Sequence, residues 1–294
     1  MKIYDCFMYF DEDLVLDIRL NILNKFVEKF VIVESEYCHS GVKRETQFDI
    51  EKFKKFKDKI IYLKLDHEPK NIESILDTDD QIEKNKKYIM NAVYRENYQR
   101  NFLINGLNTA SENDFIFISD LDEIPNLENV NFEKNKKIFF QQLFFYYKLN
   151  LFLPLSTWCG SRACTKKNLI SPQWLRNIKD KNYSPWRFDI FFSKNKYSDI
   201  KFVTNGGWHF AYLKSPQDIE KKLKAYLHHR EYDLEPIGIK KITEKISQKK
   251  TIYDLKVDMR ESKFDRGQKL NKIDIELLPE YIKNNQDKFK DWMN

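Results

Sequence analysis

One stretch of the chain, residues 115–125, constrains the fold more than any other. It reads Phe-Ile-Phe-Ile-Ser-Asp-Leu-Asp-Glu-Ile-Pro. Four apolar residues in a row, too few for a helix, predict a fully buried strand of an α/β sheet. Because side chains alternate along a strand, we expect Asp120 and Asp122 to leave one face, and Pro125 to end the strand just beyond them. Ligands of open α/β sheets bind at the carboxyl ends of strands, so this acidic end is a candidate site.

Two carboxylates in this position need a counter-charge, since no basic residue lies near them in the sequence. A hard divalent cation such as Mn²⁺ or Mg²⁺ would supply it, and such a cation often completes its shell with substrate phosphates. The motif therefore predicts a site for a nucleotide diphosphate. A D-x-D motif alone is a weak signal, because acidic pairs are common on solvated turns. The buried strand before it and the proline after it favour a functional site.

The composition narrows the class of protein. A chain of 294 residues with 41% hydrophobic and 15% aromatic residues fits a large α/β domain and excludes general disorder. Positive and negative residues are mostly interspersed, and the formal net charge is +6. This charge does not require a nucleic-acid partner, because a local basic patch that binds a phosphate is enough to account for the excess. The four cysteines show no C-x-x-C spacing, which argues against a zinc site and a disulfide framework and indicates a reducing compartment.

The sequence shows no segment that would place the protein in a membrane. A strand-like run begins at once after Met1, so we expect no signal peptide. The most apolar region, residues 138–155, is interrupted by Gln141, Gln142, Lys148 and Asn150. We therefore expect a cytoplasmic protein with no transmembrane segment and at most peripheral membrane contact.

The order of predicted elements indicates an α/β fold. Residues 3–10 read as a strand, 14–30 as an amphipathic helix and 31–33 as a second strand, which is the βαβ unit of a parallel sheet. A strand at 60–65 and a helix at 88–109 then lead into the acidic strand. We predict a single open, mostly parallel sheet flanked by helices over residues 1–235, with a helical C-terminal extension, residues 236–294, packed on the same domain.

Two further segments carry candidate site residues. Paired glycines at 206 and 207 precede Trp208 and His209, and the neutral imidazole could serve as a further ligand of the cation. Arg260 and Arg266 lie in a predicted loop. The usual interpretation of such arginines is that they are solvated, and the more specific one is that the loop closes over a pyrophosphate and the arginines bind it.

Three tryptophans lie in turn-rich sequence, where an exposed indole face can stack on a sugar ring. They are Trp158, Trp174 and Trp186. Packing in the core is the more common role of each one taken singly.

Together these segments resemble glycosyltransferase family 17, the family of the bisecting β-1,4-mannosyl-glycoprotein N-acetylglucosaminyltransferase. The matching segments are residues 4–7, 11–14, 18–20, 30–35, 40–41, 100–101, 119–125 and 207–210. The likeness covers most of the chain to about residue 270, and Asp-x-Asp-Glu-Ile-Pro with a downstream Gly-Trp-His is fairly specific as a combination.

The resemblance implies a metal-dependent, inverting glycosyltransferase of the GT-A fold. It would move N-acetylglucosamine or another hexose from a UDP-sugar to a glycan acceptor. Asp120 and Asp122 would form the D-x-D, with Asp122 touching the metal and Asp120 the ribose or the metal. By analogy with GT-A enzymes, Glu34 and the adjoining Ser35 would face the uridine, and Arg100 the base or a phosphate. The eukaryotic members carry a membrane anchor and a luminal stem that this sequence does not show. Their glycoprotein acceptor is therefore not carried over, and a soluble enzyme that builds a glycan from the cytoplasmic side fits the sequence better.

An inverting transfer also needs a carboxylate that takes the proton of the acceptor hydroxyl. The candidates are Asp189, Glu123, Glu231 and Asp233. We favour Asp189, because aromatic residues and Arg187 surround it, although it is equally placed to be the ion-pair partner of that arginine.

Two rival functions come from different classes of protein. A nucleotidyl- or phosphotransferase would ordinarily show a Gly-rich phosphate loop, and the sequence has none. A non-catalytic glycan-binding protein would use the tryptophans and hold a structural cation at the acidic pair. Metal-dependent affinity for a nucleotide diphosphate separates the transferase from this second rival.

Overall fold

The structure, a computed structural model, describes residues 1–132, 136–190, 192–254, 263–264 and 266–294. Ten strands of this described part form one sheet. The strands are β1 (Ile3–Tyr9), β2 (Lys29–Ser35), β3 (Ile60–Leu65), β4 (Phe115–Asp120), β5 (Glu123–Pro125), β6 (Lys137–Tyr146), β7 (Leu151–Thr165), β8 (Ile200–Val203), β9 (Gly207–Ala211) and β10 (Asn271–Lys272).

Helices cover the sheet. They are α1 (Asp13–Leu23), α2 (Gln81–Phe102), α3 (Pro172–Asn177), α4 (Pro216–Ala225), α5 (His229–Leu234), α6 (Gly238–Ser247), α7 (Glu280–Lys283) and α8 (Gln286–Phe289), with a 3₁₀ helix at Ile50–Lys59. The second helix begins earlier than predicted, because Asp80 caps it by accepting a hydrogen bond from the backbone N–H of Glu83. Within the described residues, every helix is too short or too polar to cross a bilayer.

The sheet is mixed, so the predicted α/β class is confirmed and the prediction of a mostly parallel sheet is wrong. Its strand order is β3-β2-β1-β4-β7-β6-β9-β5, with β8 beside β6 and β10 beside β7. The first four strands pair in parallel, as the βαβ pattern predicts. Strand β7 pairs antiparallel with both β4 and β6. The β6–β7 pair must be antiparallel, because only residues 147–150 connect the two strands and so short a connection cannot cross over.

The parallel part of the sheet is buried on both faces. Phe7 and Phe117 point to one face, where α1 packs, and Cys6 and Ile118 point to the other, beside residues that follow α2. This explains the continuous apolar runs in the sequence of these strands. Because β1, β2 and β4 are parallel, their carboxyl ends lie at one edge of the sheet.

The C-terminal residues pack on the rest of the chain. Helix α6 contacts α4, β10 pairs with β7, and the hydroxyl of Tyr281 donates to a carboxylate oxygen of Asp17 in α1 at 3.1 Å. The predicted boundary at residue 235 stays a prediction.

Replacing Gly207 by alanine is expected to destabilise the fold by about 3 kcal/mol or more, because strain and a steric clash add. Gly207 has φ +130°, and a Cβ there would lie 2.1 Å from the carbonyl oxygen of Ile124 in β5. Gly238 is the matched control, since its φ is +72° with no atom within 4 Å of an added Cβ. Gly238→Ala should cost only about 1 kcal/mol. Urea unfolding of both variants measures the difference, and equal losses would contradict the clash.

Candidate active site at the acidic turn

A cavity of about 350 Å³ opens at the carboxyl ends of β1, β2 and β4. Its size falls in the range of small-molecule sites, about 300–1,000 Å³. Tyr9, Phe10, Ser35 and Asp120 line it from these strand ends. The opposite wall comes from β6, β7, β9 and α4, with Phe144, Tyr146, Trp158, His209, Ala211 and Lys222.

The two aspartates of the motif do not share a strand, because a turn separates β4 from β5, and the sequence did not predict this turn. Strand β4 ends at Asp120, and the short strand β5 begins at Glu123, so Asp122 belongs to the turn between them. The prediction that one strand carries both aspartates and ends at Pro125 was therefore wrong. Both carboxylates nevertheless line the cavity.

A buried arginine of α1 fixes this turn. Arg19 is fully buried and forms a two-pronged ion pair with Asp5 of β1, with Nε to Oδ2 at 2.8 Å and Nη2 to Oδ1 at 2.6 Å. Its remaining nitrogen, Nη1, donates to the carbonyl oxygens of Asp120, Leu121 and Glu123 at 3.2, 3.1 and 2.7 Å. One guanidinium therefore holds the backbone of the turn against the first strand.

Strand β9 holds the turn from the other side. The backbone N–H of Phe210 donates to the carbonyl oxygen of Asp122 at 2.8 Å, and His209 is the strand partner of Glu123. This pairing places Nε2 of His209 3.5 Å from Oδ1 of Asp122. The ring of His209 stacks on Phe144, with the ring centroids 4.3 Å apart.

Asp120 is neutralised by two arginines. Arg100 of α2 lies 3.1 Å from Oδ1, and Arg176 of α3 lies 3.1 Å from Oδ2. Burial alone would raise the pKa of Asp120, but the guanidinium groups of Arg176 and Arg100 outweigh it and hold the pKa below its usual range. The sequence shows no basic residue close to Asp120, because the two arginines that neutralise it come from distant segments of the chain.

Asp122 is neutralised by a lysine and faces the histidine. Lys222 of α4 places Nζ 3.4 Å from Oδ2 of Asp122 and 3.1 Å from Oε1 of Glu12. Burial would raise the pKa of Asp122, but Lys222 and His209 hold it well below its usual range. Burial would likewise lower the pKa of Lys222, but Glu12 and Asp122 raise it, so the ammonium stays protonated.

Glu123, a predicted candidate for the general base, is fully buried and is not among the cavity-lining residues. Its carboxylate accepts hydrogen bonds from Nε1 of Trp158 at 2.6 Å, from Nη1 of Arg176 at 2.6 Å and from the backbone N–H of Asp120 at 2.8 Å. In this structure the carboxylate positions Trp158 and Arg176, and its role as base stays a prediction.

Asp189, the favoured candidate for the base, lies in an exposed 3₁₀ turn and does not line the cavity. It forms ion pairs with Arg187 at 2.9 Å and with Lys196 at 2.7 Å. Hydrogen bonds from these two cations hold the pKa of Asp189 below its usual range. The structure therefore shows the ion pair that the sequence offered as the alternative interpretation, and the catalytic role stays a prediction.

The residues predicted to contact the nucleotide lie at different depths. Ser35 lines the cavity. Arg100 lies behind the cavity wall, where it donates to Asp120 and to Glu96, and both of these carboxylates line the cavity. Glu34 is fully buried and is not among the lining residues. It pairs with Arg44 at 2.9 Å and accepts hydrogen bonds from two backbone N–H groups, at 2.7 and 3.0 Å.

Of the other predicted residues that the structure describes, only one lines the cavity. Arg266 is exposed and is not among the lining residues, and Arg260 lies outside the described residues. Of the three tryptophans only Trp158 lines the cavity. Trp174 donates from Nε1 to the carbonyl oxygen of Lys194 at 2.7 Å, and Trp186 is 88% exposed.

Asp122 and His209 fit a hard divalent cation as a partial set of ligands. Nε2 of His209 faces Oδ1 of Asp122 at 3.5 Å, and a neutral imidazole nitrogen is a common metal ligand, so these two atoms could bind one cation between them. The described residues contain no group of three or more His, Cys, Asp or Glu side chains suited to hold a metal ion. A cation here would thus take the rest of its shell from water or phosphate oxygens, as Mg²⁺ commonly does.

Sequence reasoning missed Arg19 and Arg176 as residues of the site. Arg19 had a signal, since it shares a helix face with Leu16, Leu20 and Leu23, and a charge on an apolar face indicates a buried partner. Arg176 had none, because the contacts of a short helix 53 residues beyond Glu123 are set by the tertiary fold.

Replacing Arg19 by methionine is expected to lower the free energy of unfolding by about 3–5 kcal/mol, because Asp5 would remain buried without its partner. Urea denaturation measures the loss. Adding Asp5→Leu to Arg19→Met should recover part of it, since the unpaired carboxylate is then removed as well. A single variant as stable as the wild type would contradict the structural role of this pair.

Comparisons with known proteins bear on the family of the chain. Curated protein sequences yield no match to this chain. The model of the family described as glycosyltransferase family 17 matches residues 1–293, nearly the whole chain. The chain therefore belongs to glycosyltransferase family 17.

Proposed function

We propose that the protein is a metal-dependent, inverting glycosyltransferase of GT-A type that moves a sugar from a UDP-sugar to a glycan acceptor. One observation supports this most strongly. Both D-x-D carboxylates line a cavity at the ends of parallel strands, and His209 lies 3.5 Å from Asp122. This arrangement suits a diphosphate that carries a divalent cation.

In this proposal the donor nucleoside binds at the β1–β2 side of the cavity. Tyr9, Phe10 and Ser35 offer aromatic surface and a hydroxyl there, and His39 and Gln99 form a neutral polar pair 3.0 Å apart. Burial lowers the pKa of His39, so its imidazole is neutral at pH 7. The neutral pair of His39 and Gln99 can hydrogen-bond an uncharged base such as uracil.

We assign the diphosphate to the opposite side of the cavity, beside Asp122, His209 and Lys222. The largest charge that develops in the reaction appears on the departing diphosphate, and fixed cations stabilise it. A divalent cation held by Asp122 and His209 would add neutralising charge there. Lys222 contributes a positive charge of the chain itself.

We assign the transferred sugar to the side of the cavity at Trp158. Its indole is fixed by the hydrogen bond to Glu123, and it packs beside Phe144 with ring centroids 5.4 Å apart. Aromatic faces of this kind pack against the C–H groups of pyranose rings. N-acetylglucosamine or another hexose fits this assignment.

The proposal predicts that the purified protein slowly releases UDP from one UDP-sugar when Mn²⁺ is present, and that a chelator suppresses the release. Asp122→Asn keeps the volume of the side chain but removes its charge, and we expect it to lower the rate about 100-fold or more. Release of UDP from a panel of donors is the measurement. If no donor is hydrolysed and UDP does not bind with Mn²⁺, the glycan-binding alternative is favoured.

The proposed base is tested separately. If Asp189 takes the proton of the acceptor, Asp189→Asn should lower transfer about 100-fold while UDP affinity stays unchanged. Arg187→Gln is the control, since it removes one of the two ion pairs of Asp189 but keeps the carboxylate. Full transfer by Asp189→Asn would show that Asp189 is only an ion-pair partner.

A further inference from the structure

Three lysines and three carboxylates form one network at the edge of the cavity. The lysines are Lys214, Lys221 and Lys222, and the acids are Asp11, Glu12 and Asp122. The network joins the turn after β1, the acidic turn and helix α4. Its formal charges cancel, since three positive groups face three negative ones.

Lys222 differs from the other two lysines in its surroundings. Its side chain is 23% exposed, it lines the cavity, and its ammonium lies between Glu12 and Asp122 at 3.1 and 3.4 Å. Lys221, its neighbour on α4, is 51% exposed and does not line the cavity. It pairs with Asp11 at 3.5 Å, and its ammonium lies 5.7 Å from the ring centroid of Phe10. Of these two lysines, Lys222 is thus the one placed to meet a ligand in the cavity.

The charge balance of the network changes with the ligand. A divalent cation alone beside Asp122 would add two positive charges next to the ammonium of Lys222. A divalent cation together with a nucleoside diphosphate sugar adds two positive and two negative charges, which keeps the balance. The network therefore disfavours the cation alone and accepts the pair.

We propose that Lys222 neutralises Asp122 while the donor is absent and turns its ammonium onto the donor diphosphate when donor and cation bind. This inference rests on the proposed function. Glu12 would not be left unpaired, because Nζ of Lys214 lies 3.8 Å from its Oε1. Asp122 would exchange the ammonium for the cation.

In the transfer step Lys222 acts as a hydrogen-bond donor and not as an acid. The bond between the sugar C1 and the β-phosphate oxygen breaks, and its electron pair stays on that oxygen. The acceptor oxygen forms the new bond to C1 and gives its proton to the general base. Lys222 keeps its own proton and stabilises the charge on the diphosphate.

Binding of Mn²⁺ to the donor-free protein tests the first half of the proposal. Without the competing ammonium, Lys222→Gln should bind Mn²⁺ about tenfold more tightly than the wild type, as measured by electron paramagnetic resonance. Lys221→Gln is the matched control, since it removes the same charge one residue away and should change the affinity by only about twofold. Equal affinities of the two variants would overturn the proposal.

Glu12→Gln gives a test of opposite sign that does not depend on the folding of Lys222→Gln. It removes the charge of Glu12, so Asp122 becomes the only carboxylate paired with the ammonium of Lys222 in this network. Donor-free affinity for Mn²⁺ should then fall several-fold, on the order of the effect of one charged hydrogen bond. A rise in this affinity would contradict the competition between Lys222 and the cation.

Binding of UDP in the presence of a chelator tests the second half. We expect Lys222→Gln to weaken this binding about tenfold by calorimetry, while Lys222→Arg, which keeps the charge, stays within about threefold of the wild type. If the wild type binds UDP and Lys222→Gln binds it equally well, the role of Lys222 is wrong and the proposed function stands. If the wild type binds UDP neither with nor without Mn²⁺, the proposed function itself fails.

Discussion

The buried ion pair between Arg19 and Asp5 is the interaction on which the site depends. It joins α1 to β1, and the same guanidinium donates hydrogen bonds to three carbonyl oxygens of the acidic turn. Removing either partner would leave a buried charge unpaired, which costs more than the pair contributes. The D-x-D carboxylates are therefore positioned by groups that lie beneath them and do not contact the cavity.

The site is also organised by charge compensation between distant segments. Asp120 has two arginines, and Asp122 has Lys222 and the imidazole of His209. Such balance keeps a cluster of acids stable before any ligand binds, and it leaves the cluster able to exchange one cation for another. In the proposed reaction this exchange brings positive charge to the departing diphosphate. The arginines at Asp120 are fixed by several hydrogen bonds, whereas Lys222 faces the cavity.

The sequence predicted those parts of the fold that depend on local pattern. The apolar run before Asp120 predicted β4, and the βαβ pattern predicted the parallel pairing of the first strands. The mixed sheet was not predicted, because the pairing of Ile116 with Cys164 joins residues far apart in sequence. Glu34 shows the same limit. A strand end indicates that a residue lies near a ligand-binding edge, but only the fold shows that this carboxylate is engaged by protein groups.

The central claim is that the acidic turn binds a divalent cation and a nucleoside diphosphate together. Anomalous diffraction at the manganese edge, from crystals grown with UDP and Mn²⁺, tests it directly. The account predicts one manganese peak bonded to Asp122 and His209, with the ammonium of Lys222 moved from Asp122 to the diphosphate. A peak elsewhere in the molecule, or no peak with Lys222 still paired to Asp122, would contradict it.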